Sequence, residues 1–232
     1  MSVAGVATRE GAYCHNVRKV YRVDRERVLA LDAVTKEFRR GDFTVIAGPS
    51  GSGKSSLLRI LACVDRPDGG SVEIAGHGVA DASARRRRRL RRYSIAFIFA
   101  DPVDNLVEYL TAADQVRLAA RLRGVRATGQ EVTEALARLG LADRADHIPH
   151  QLSGGEQQRV AIACAMVGGP PVVVADEPTA ELDSVATGVV LDGFRVLADT
   201  GAAIAIASHD PRVIDRADSV LRLDHGRVSE SW

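Results

Sequence analysis

Gly48 to Ser55 reads G-P-S-G-S-G-K-S, a spacing that lets main-chain N–H groups turn inward around phosphate oxygens. Lys54 adds a positive charge to the same oxygens, and Ser55 offers a hydroxyl to Mg²⁺. The segment Gly48, Pro49, Ser50, Gly51, Ser52, Gly53, Lys54, Ser55 and Ser56 is therefore expected to bind a nucleoside triphosphate. Lys19, Lys36 and Lys54 are the only lysines in an arginine-rich chain, and one of them sits where this chemistry needs it. A second chemical pair lies far downstream, where Val172-Val173-Val174-Ala175 runs into Asp176-Glu177. Two adjacent carboxylates are poorly placed for a core. Asp176 suits a role in holding Mg²⁺, and Glu177 suits a general base that polarises an attacking water. Taken alone, the pair reads equally well as an acidic turn at a strand end.

The surrounding residues supply elements able to position these groups. Phe43-Thr44-Val45-Ile46-Ala47 is the apolar, β-branched run of a buried strand. After Lys54 the pattern turns helical, with Leu57, Leu58, Ile60 and Leu61 as its apolar positions. Strand, loop and helix in that order place the phosphates at a helix N-terminus, where the backbone dipoles favour an anion. Pro170 and Pro171 bar a helix before Val172, so the run that follows reads as a buried parallel strand. Gly201 to Ser208 reads as another such strand, ending at His209. Between these halves stands Leu152-Ser153-Gly154-Gly155-Glu156, a turn that opens a helix expected over 156–167. Ser153 suits an N-cap with Glu156 as its capping-box partner. The free amides of the first helical turn also make an anion site.

These motifs together resemble the nucleotide-binding domain of an ATP-binding cassette (ABC) transporter, and the resemblance covers nearly the whole chain. It implies an α/β fold: a P-loop NTPase core with a parallel sheet, an N-terminal antiparallel β subdomain and an inserted α-helical subdomain over about 101–165, all within one domain, 1–232. It implies ATP and Mg²⁺ as ligands, with hydrolysis coupled to transport. Leu152 to Glu156 matches the family's signature motif, in which Ser153, Gly154, Gly155 and Glu156 face the γ-phosphate held by the opposite subunit. Tyr21 resembles the aromatic residue that stacks on adenine, although it also reads as an edge-strand tyrosine. Ala180-Glu181-Leu182-Asp183 resembles the loop that crosses the dimer interface, with Asp183 at its end. His209 resembles the switch histidine that contacts the γ-phosphate.

One family element is missing. The strand Ile95 to Phe99 should be followed by a glutamine that senses Mg²⁺ and the lytic water, and Ala100-Asp101-Pro102 stands there instead. The loop before Leu110-Thr111-Ala112 also looks about two residues longer than the common pattern. Alanine has no hydrogen-bonding side chain, so hydrolysis is expected to be slow or loosely coupled unless Asp101 substitutes. Gly140 to Asp146, the wording of the signature helix, and His209-Asp210-Pro211-Arg212 resemble the macrolide- and lipoprotein-export subfamily, although Cys164 stands where arginine is usual. The resemblance implies a second ATPase subunit, identical or not, and a transmembrane permease subunit as partners. It places the chain in the cytoplasm, peripheral on the inner face of the cell membrane. A signalling module that hydrolyses slowly and controls a membrane-anchored partner remains an alternative. A chromosome or repair ATPase of the same superfamily is disfavoured, since roughly 100 residues without heptads separate the phosphate loop from the signature.

Composition agrees with this reading. The chain has 232 residues and a formal net charge of +1, enough for a sizeable core and without the basic excess that draws a domain to nucleic acid. Three cysteines lack metal-ligand spacing and fit a reducing compartment. His147 and His150 have no completing ligands and read as surface residues. No apolar run approaches the roughly 20 residues that span a bilayer, and the start has no signal-peptide pattern. Thr128 to Glu131 is a capping box heading a helix with Val132, Ala135, Leu136 and Leu139 on one face and Gly140 at its end. Asp114 to Arg123 is a second amphipathic segment. Arg85 to Arg92 reads as a solvated helix, with attraction to anionic lipid as the alternative; it lacks the interleaved aromatics of a nucleic-acid site.

Overall fold

The computed structural model describes residues 11–23, 26–180 and 182–231. In chain order the elements are β1 (Ala12–Val23), β2 (Glu26–Phe38), β3 (Phe43–Ala47), α1 (Lys54–Leu61), β4 (Gly69–Ile74), β5 (His77–Gly78), α2 (Ala84–Tyr93) and β6 (Ile95–Ile98). They continue with α3 (Ala112–Leu122), α4 (Gly129–Ala137), α5 (Gly154–Met166), β7 (Val172–Asp176), α6 (Ser184–Asp199), β8 (Ala203–Ala207), α7 (Pro211–Ile214), β9 (Ser219–Asp224) and β10 (Arg227–Ser231). The strand expected over Gly201 to Ser208 is shorter at both ends, and the signature helix starts at Gly154 rather than Glu156.

Two sheets form. An antiparallel sheet has the order β2-β1-β4-β5, and a six-stranded sheet has the order β10-β9-β3-β8-β7-β6. Pairing across β9, β3, β8, β7 and β6 is parallel; β10 closes the edge antiparallel to β9. In β1 the inward positions run Ala12 and Cys14, then jump to Val17. The register against β2 slips there, where Asn16 has φ 48°. An extra residue in a strand flips the facing of everything after it, and asparagine tolerates that left-handed conformation well.

The period-2 pattern of the parallel strands divides the core. In β8 the isoleucines Ile204 and Ile206 pack with α3 to α6, whereas Ala203, Ala205 and Ala207 face α1 and the antiparallel sheet. Small residues on that side let α1 lie close to the sheet, with Leu57, Leu58, Ile60 and Leu61 fully buried against it. The helices α3 to α6 share one continuous core with the other face of the sheet. Both α4 and α5 begin with complete capping boxes, Thr128 with Glu131 and Ser153 with Glu156. Among the described residues no helix is long and apolar enough to cross a membrane.

Candidate functional site

The C-terminal ends of parallel strands are where an open α/β sheet presents its loops to a ligand. Here β3 runs into the phosphate loop, β7 ends in Asp176 and Glu177, and the strand between them, β8, leads to His209. Phosphate-loop residues, Asp176, Glu177 and His209 line one cleft of about 490 Å³, with Val28 to Ala30 closing the side nearest β2.

The loop is held by close main-chain packing. A Cβ on Gly48 would lie 2.2 Å from the Leu223 carbonyl oxygen, and one on Gly53 would lie 2.4 Å from that of Ala30; both glycines have positive φ, 151° and 104°. No other residue fits either position. The Gly226 amide, in the β9–β10 turn, donates to the Ser52 carbonyl at 3.0 Å. Lys54 is buried, and its ammonium donates to the carbonyls of Gly48 (2.8 Å) and Pro49 (3.0 Å). The Ser52 hydroxyl is buried without a partner among the described residues. A buried ammonium resting on two loop carbonyls suits a polyanionic ligand that offers it stronger acceptors.

Asp176 accepts a hydrogen bond from Ser55. Burial pushes its carboxyl above the usual range, helped by the charge of Glu177, and Ser55 and Lys54 only partly oppose this. A half-buried carboxylate short of positive charge, touching a serine hydroxyl, is a donor set suited to a hard divalent cation. Glu177 adopts φ 44°, unusual for a residue other than glycine. Its amide donates to the Ala207 carbonyl at 2.9 Å, and its carboxylate lies 2.9 Å from His209 Nδ1. The backbone conformation turns the side chain off the strand, toward the histidine that follows β8. A carboxylate oriented in this way can polarise water.

Not every expected residue joins this cleft. Tyr21 stands beside it, its hydroxyl donating to Asp65 at 2.8 Å and interacting with Ser56. Ser153, Gly154, Gly155 and Glu156 sit at the start of α5, where Gly154 and Gly155 pack against Leu182 and Ala186. The Ser153 hydroxyl donates to Glu156 at 2.9 Å. The Ser153 amide, then its hydroxyl and Arg144, hold the Glu156 carboxyl below its usual range. The amides of Gly154 and Gly155 belong to the first helical turn and have no intrahelical acceptor. Asp183 caps α6 through the Ala186 amide at 2.8 Å. Glu181 lies outside the described residues. The signature and the interface loop are thus neighbours of each other, and neither lines the phosphate cleft.

Ala100 follows β6 as expected. The Asp101 carboxylate is engaged locally: it accepts from the Val103 amide at 2.9 Å and caps the short helical turn Pro102–Asn105, and neither Ala100 nor Asp101 lines the cleft. The sequence reading missed Asn105. Its side chain accepts from the Phe99 amide (2.8 Å) and donates to the carbonyls of Phe99 (3.1 Å) and Asp101 (3.2 Å) and to Gln158 Oε1 (3.1 Å). Gln158, wholly buried on α5, donates back to Phe99 at 3.1 Å. The loop bearing Ala100 is stapled to the signature helix. The three cysteines are unpaired, and burial pushes the thiols of Cys14 and Cys63 up to about 12 and about 11.

Fold and site define a phosphate-loop ATPase with a signature helix set apart from its phosphate cleft. The family profile described as ABC transporter matches residues 31–180. An uncharacterized ABC transporter ATP-binding protein of Thermotoga maritima is 40% identical over 215 residues, 92% of this chain and 91% of that protein. The lipoprotein-releasing system ATP-binding protein LolD of Paramagnetospirillum magneticum is 38% identical, covering 95% of this chain and 98% of LolD. The macrolide export ATP-binding/permease protein MacB of Salmonella choleraesuis is also 38% identical, but the chain spans only 33% of its length. The solved dimeric post-hydrolysis structure of the ATP-binding cassette MJ0796, bound to ADP and Pi, superposes with a TM-score of 0.83 at 33% identity, covering 95% of this chain and 97% of that one. The chain belongs to the ABC transporter family, and it is an ATP-binding, ATP-hydrolysing cassette of that family.

Proposed function

We propose that two copies of this chain, or this chain and a similar one, close head-to-tail around two ATP molecules and drive a separate membrane permease, in export. One observation carries the reading. The cleft gathers the phosphate loop, Asp176, Glu177 and His209, while Ser153 to Glu156 and Asp183 face elsewhere on the same chain. Each chain thus holds one half of a phosphate site and the complementary half of another. In this assignment Lys54 and the amides of Gly48 to Ser56 bind the triphosphate, and Tyr21 flanks the base. Ser55 and Asp176 would hold Mg²⁺, which when bound neutralises charge on the phosphates. Glu177, oriented by His209, takes the proton of the attacking water. Export is supported by the likeness to LolD and MacB, and attachment at the inner face of the membrane through the permease follows from the same reading.

Glu177→Gln tests it. The change preserves shape and leaves Lys54, Ser55 and Asp176 intact, so ATP should bind, hydrolysis should fall by about 10²–10⁴, and the dimer should persist. Light scattering is expected to give twice the monomer mass with ATP and the monomer without it. A monomer under both conditions would count against the head-to-tail site. Ala100 favours a second reading, in which slow turnover times a signal through a membrane-anchored partner. Co-purification with the membrane partner, followed by transport in vesicles, separates the two.

A further inference from the structure

The helix α2 carries seven arginines, at 85–89, 91 and 92, in a chain whose net charge is only +1, so the remainder is net acidic. Its cations divide by role. Arg87, Arg91 and Arg92 donate to the carbonyls of Val64, Cys63 and Leu122, and Leu90 is the buried anchor. Among the described residues the guanidinium groups of Arg85, Arg86, Arg88 and Arg89 have no ion-pair or hydrogen-bond partner, and all four are exposed. At about 100° per residue, Arg88, Arg92, Arg85, Arg89, Tyr93 and Arg86 fall in that order within one arc of about 160°. On one side the arc borders a cleft of about 740 Å³ that reaches His77.

We propose that this arc binds the anionic headgroups of a phospholipid bilayer. The inference rests on the reading of the chain as part of a membrane transporter. Five guanidiniums without a carboxylate among them repel one another unless the facing surface is densely negative. Guanidinium matches phosphate oxygens in a two-pronged geometry. Tyr93, 45% exposed, has the ring body and polar tip that suit a headgroup layer. A protein partner fits less well: arginine and tyrosine do occur in protein interfaces, but five adjacent guanidiniums would need an equally dense set of carboxylates opposite them, whereas charged residues as a class are depleted from interface cores. Single-stranded nucleic acid needs aromatic platforms for its bases, and one tyrosine does not make a series.

The test is co-sedimentation of the purified chain with phosphatidylcholine vesicles that do or do not contain phosphatidylglycerol. Binding is expected only to the anionic vesicles and should weaken as salt rises. Each arginine near such a surface contributes about fivefold, so the triple variant Arg85→Gln, Arg88→Gln, Arg89→Gln should lose about a hundredfold. None of the three lines the phosphate cleft, so ATP binding, measured in the same samples, should hold and report an intact fold. Should the triple variant bind ATP poorly, Arg88→Gln alone, expected to weaken vesicle binding about fivefold, replaces it. Equal binding to neutral vesicles, no binding to anionic ones, or full binding by a folded variant would overturn the proposal. So would retention of a nucleic acid or of a detergent-solubilised partner that depends on the same arginines while vesicles are ignored. A chain that binds ATP but not vesicles refutes the headgroup site alone; the transporter reading is tested separately, by co-purification with the membrane partner.

Discussion

Asn105→Ala removes four hydrogen bonds at once, and the structure sets the size of the effect. Gln158 is wholly buried, so losing the Asn105 donor leaves Gln158 Oε1 unsatisfied in the core, at about 1–3 kcal/mol. The groups of Phe99 and Asp101 lie on an accessible loop and turn partly to water, adding about 1 kcal/mol. The sum, about 2–4 kcal/mol, corresponds to a melting temperature lower by roughly 4–16 °C in a protein of this size. Asn105→Asp is the sharper control. It keeps the acceptor facing the Phe99 amide, loses all three donations, and sets a negative charge against carbonyl oxygens. It should therefore be at least as damaging as alanine. Thermal melts give the global effect, and hydrogen exchange at the Phe99 amide reports the loop directly. A melting temperature within 1 °C of the parent together with unchanged Phe99 protection would show that the staple does not hold the loop. An aspartate variant as stable as the parent would mean that the donations contribute nothing.

Three other outcomes follow from the site. Lys54→Ala should weaken ATP binding or the transition state by about 2–4 kcal/mol, read by nucleotide titration and turnover; unchanged values would place the nucleotide elsewhere. Ala100→Gln should raise ATPase activity, whereas Asp101→Ala should cost about 1 kcal/mol of stability through its lost cap and leave turnover alone; the reverse pattern would mean that Asp101 is the group acting on water. Asp176→Asn concerns pH. Burial raises the folded-state pKa of Asp176 above its unfolded value, so the ionised carboxylate destabilises the fold above that pKa, and the penalty fades as pH falls through it. The asparagine variant should therefore melt higher than the parent at neutral pH in EDTA, lose that advantage in acid, and bind ATP with little Mg²⁺ dependence. A lower melting temperature at neutral pH would contradict the assigned cause of the shift.

The readable parts of this chain are those whose signals are local. The strand, glycine loop and helix from Phe43 to Leu61 carry their geometry in consecutive residues, and so do the capping boxes at Thr128 and Ser153. The run Val172 to Asp176 reads as buried because both faces of its sheet are covered. What the sequence hides is contact across distance. Asn105 and Gln158 are separated by 53 positions, and neither residue type announces a partner. Tyr21 illustrates a second limit. Its position beside the phosphate loop is legible from resemblance, but its hydroxyl is tied to Asp65, 44 positions away, which no periodicity reveals. The bulge at Asn16 is a third case, since a slip of register appears in sequence only as a broken alternation.

Ala100, Asp101 and the stapling Asn105 belong to one loop. The loop after β6 places main-chain polar groups beside Gln158 on the buried face of α5, and such groups must find partners. Pro102 lacks one donor and so reduces the demand; Asp101 satisfies the Val103 amide. Asn105 takes the rest, serving one amide and two carbonyls from a single planar group. With the loop held in this way, no side chain at position 100 is needed to hold it, and alanine there is compatible with folding. Stability thus gives no reason for a glutamine here, and only the orientation of water proposed above for Glu177 would. That separation is what makes Ala100→Gln informative: a gain in turnover without a change in melting temperature would assign the position to catalysis alone.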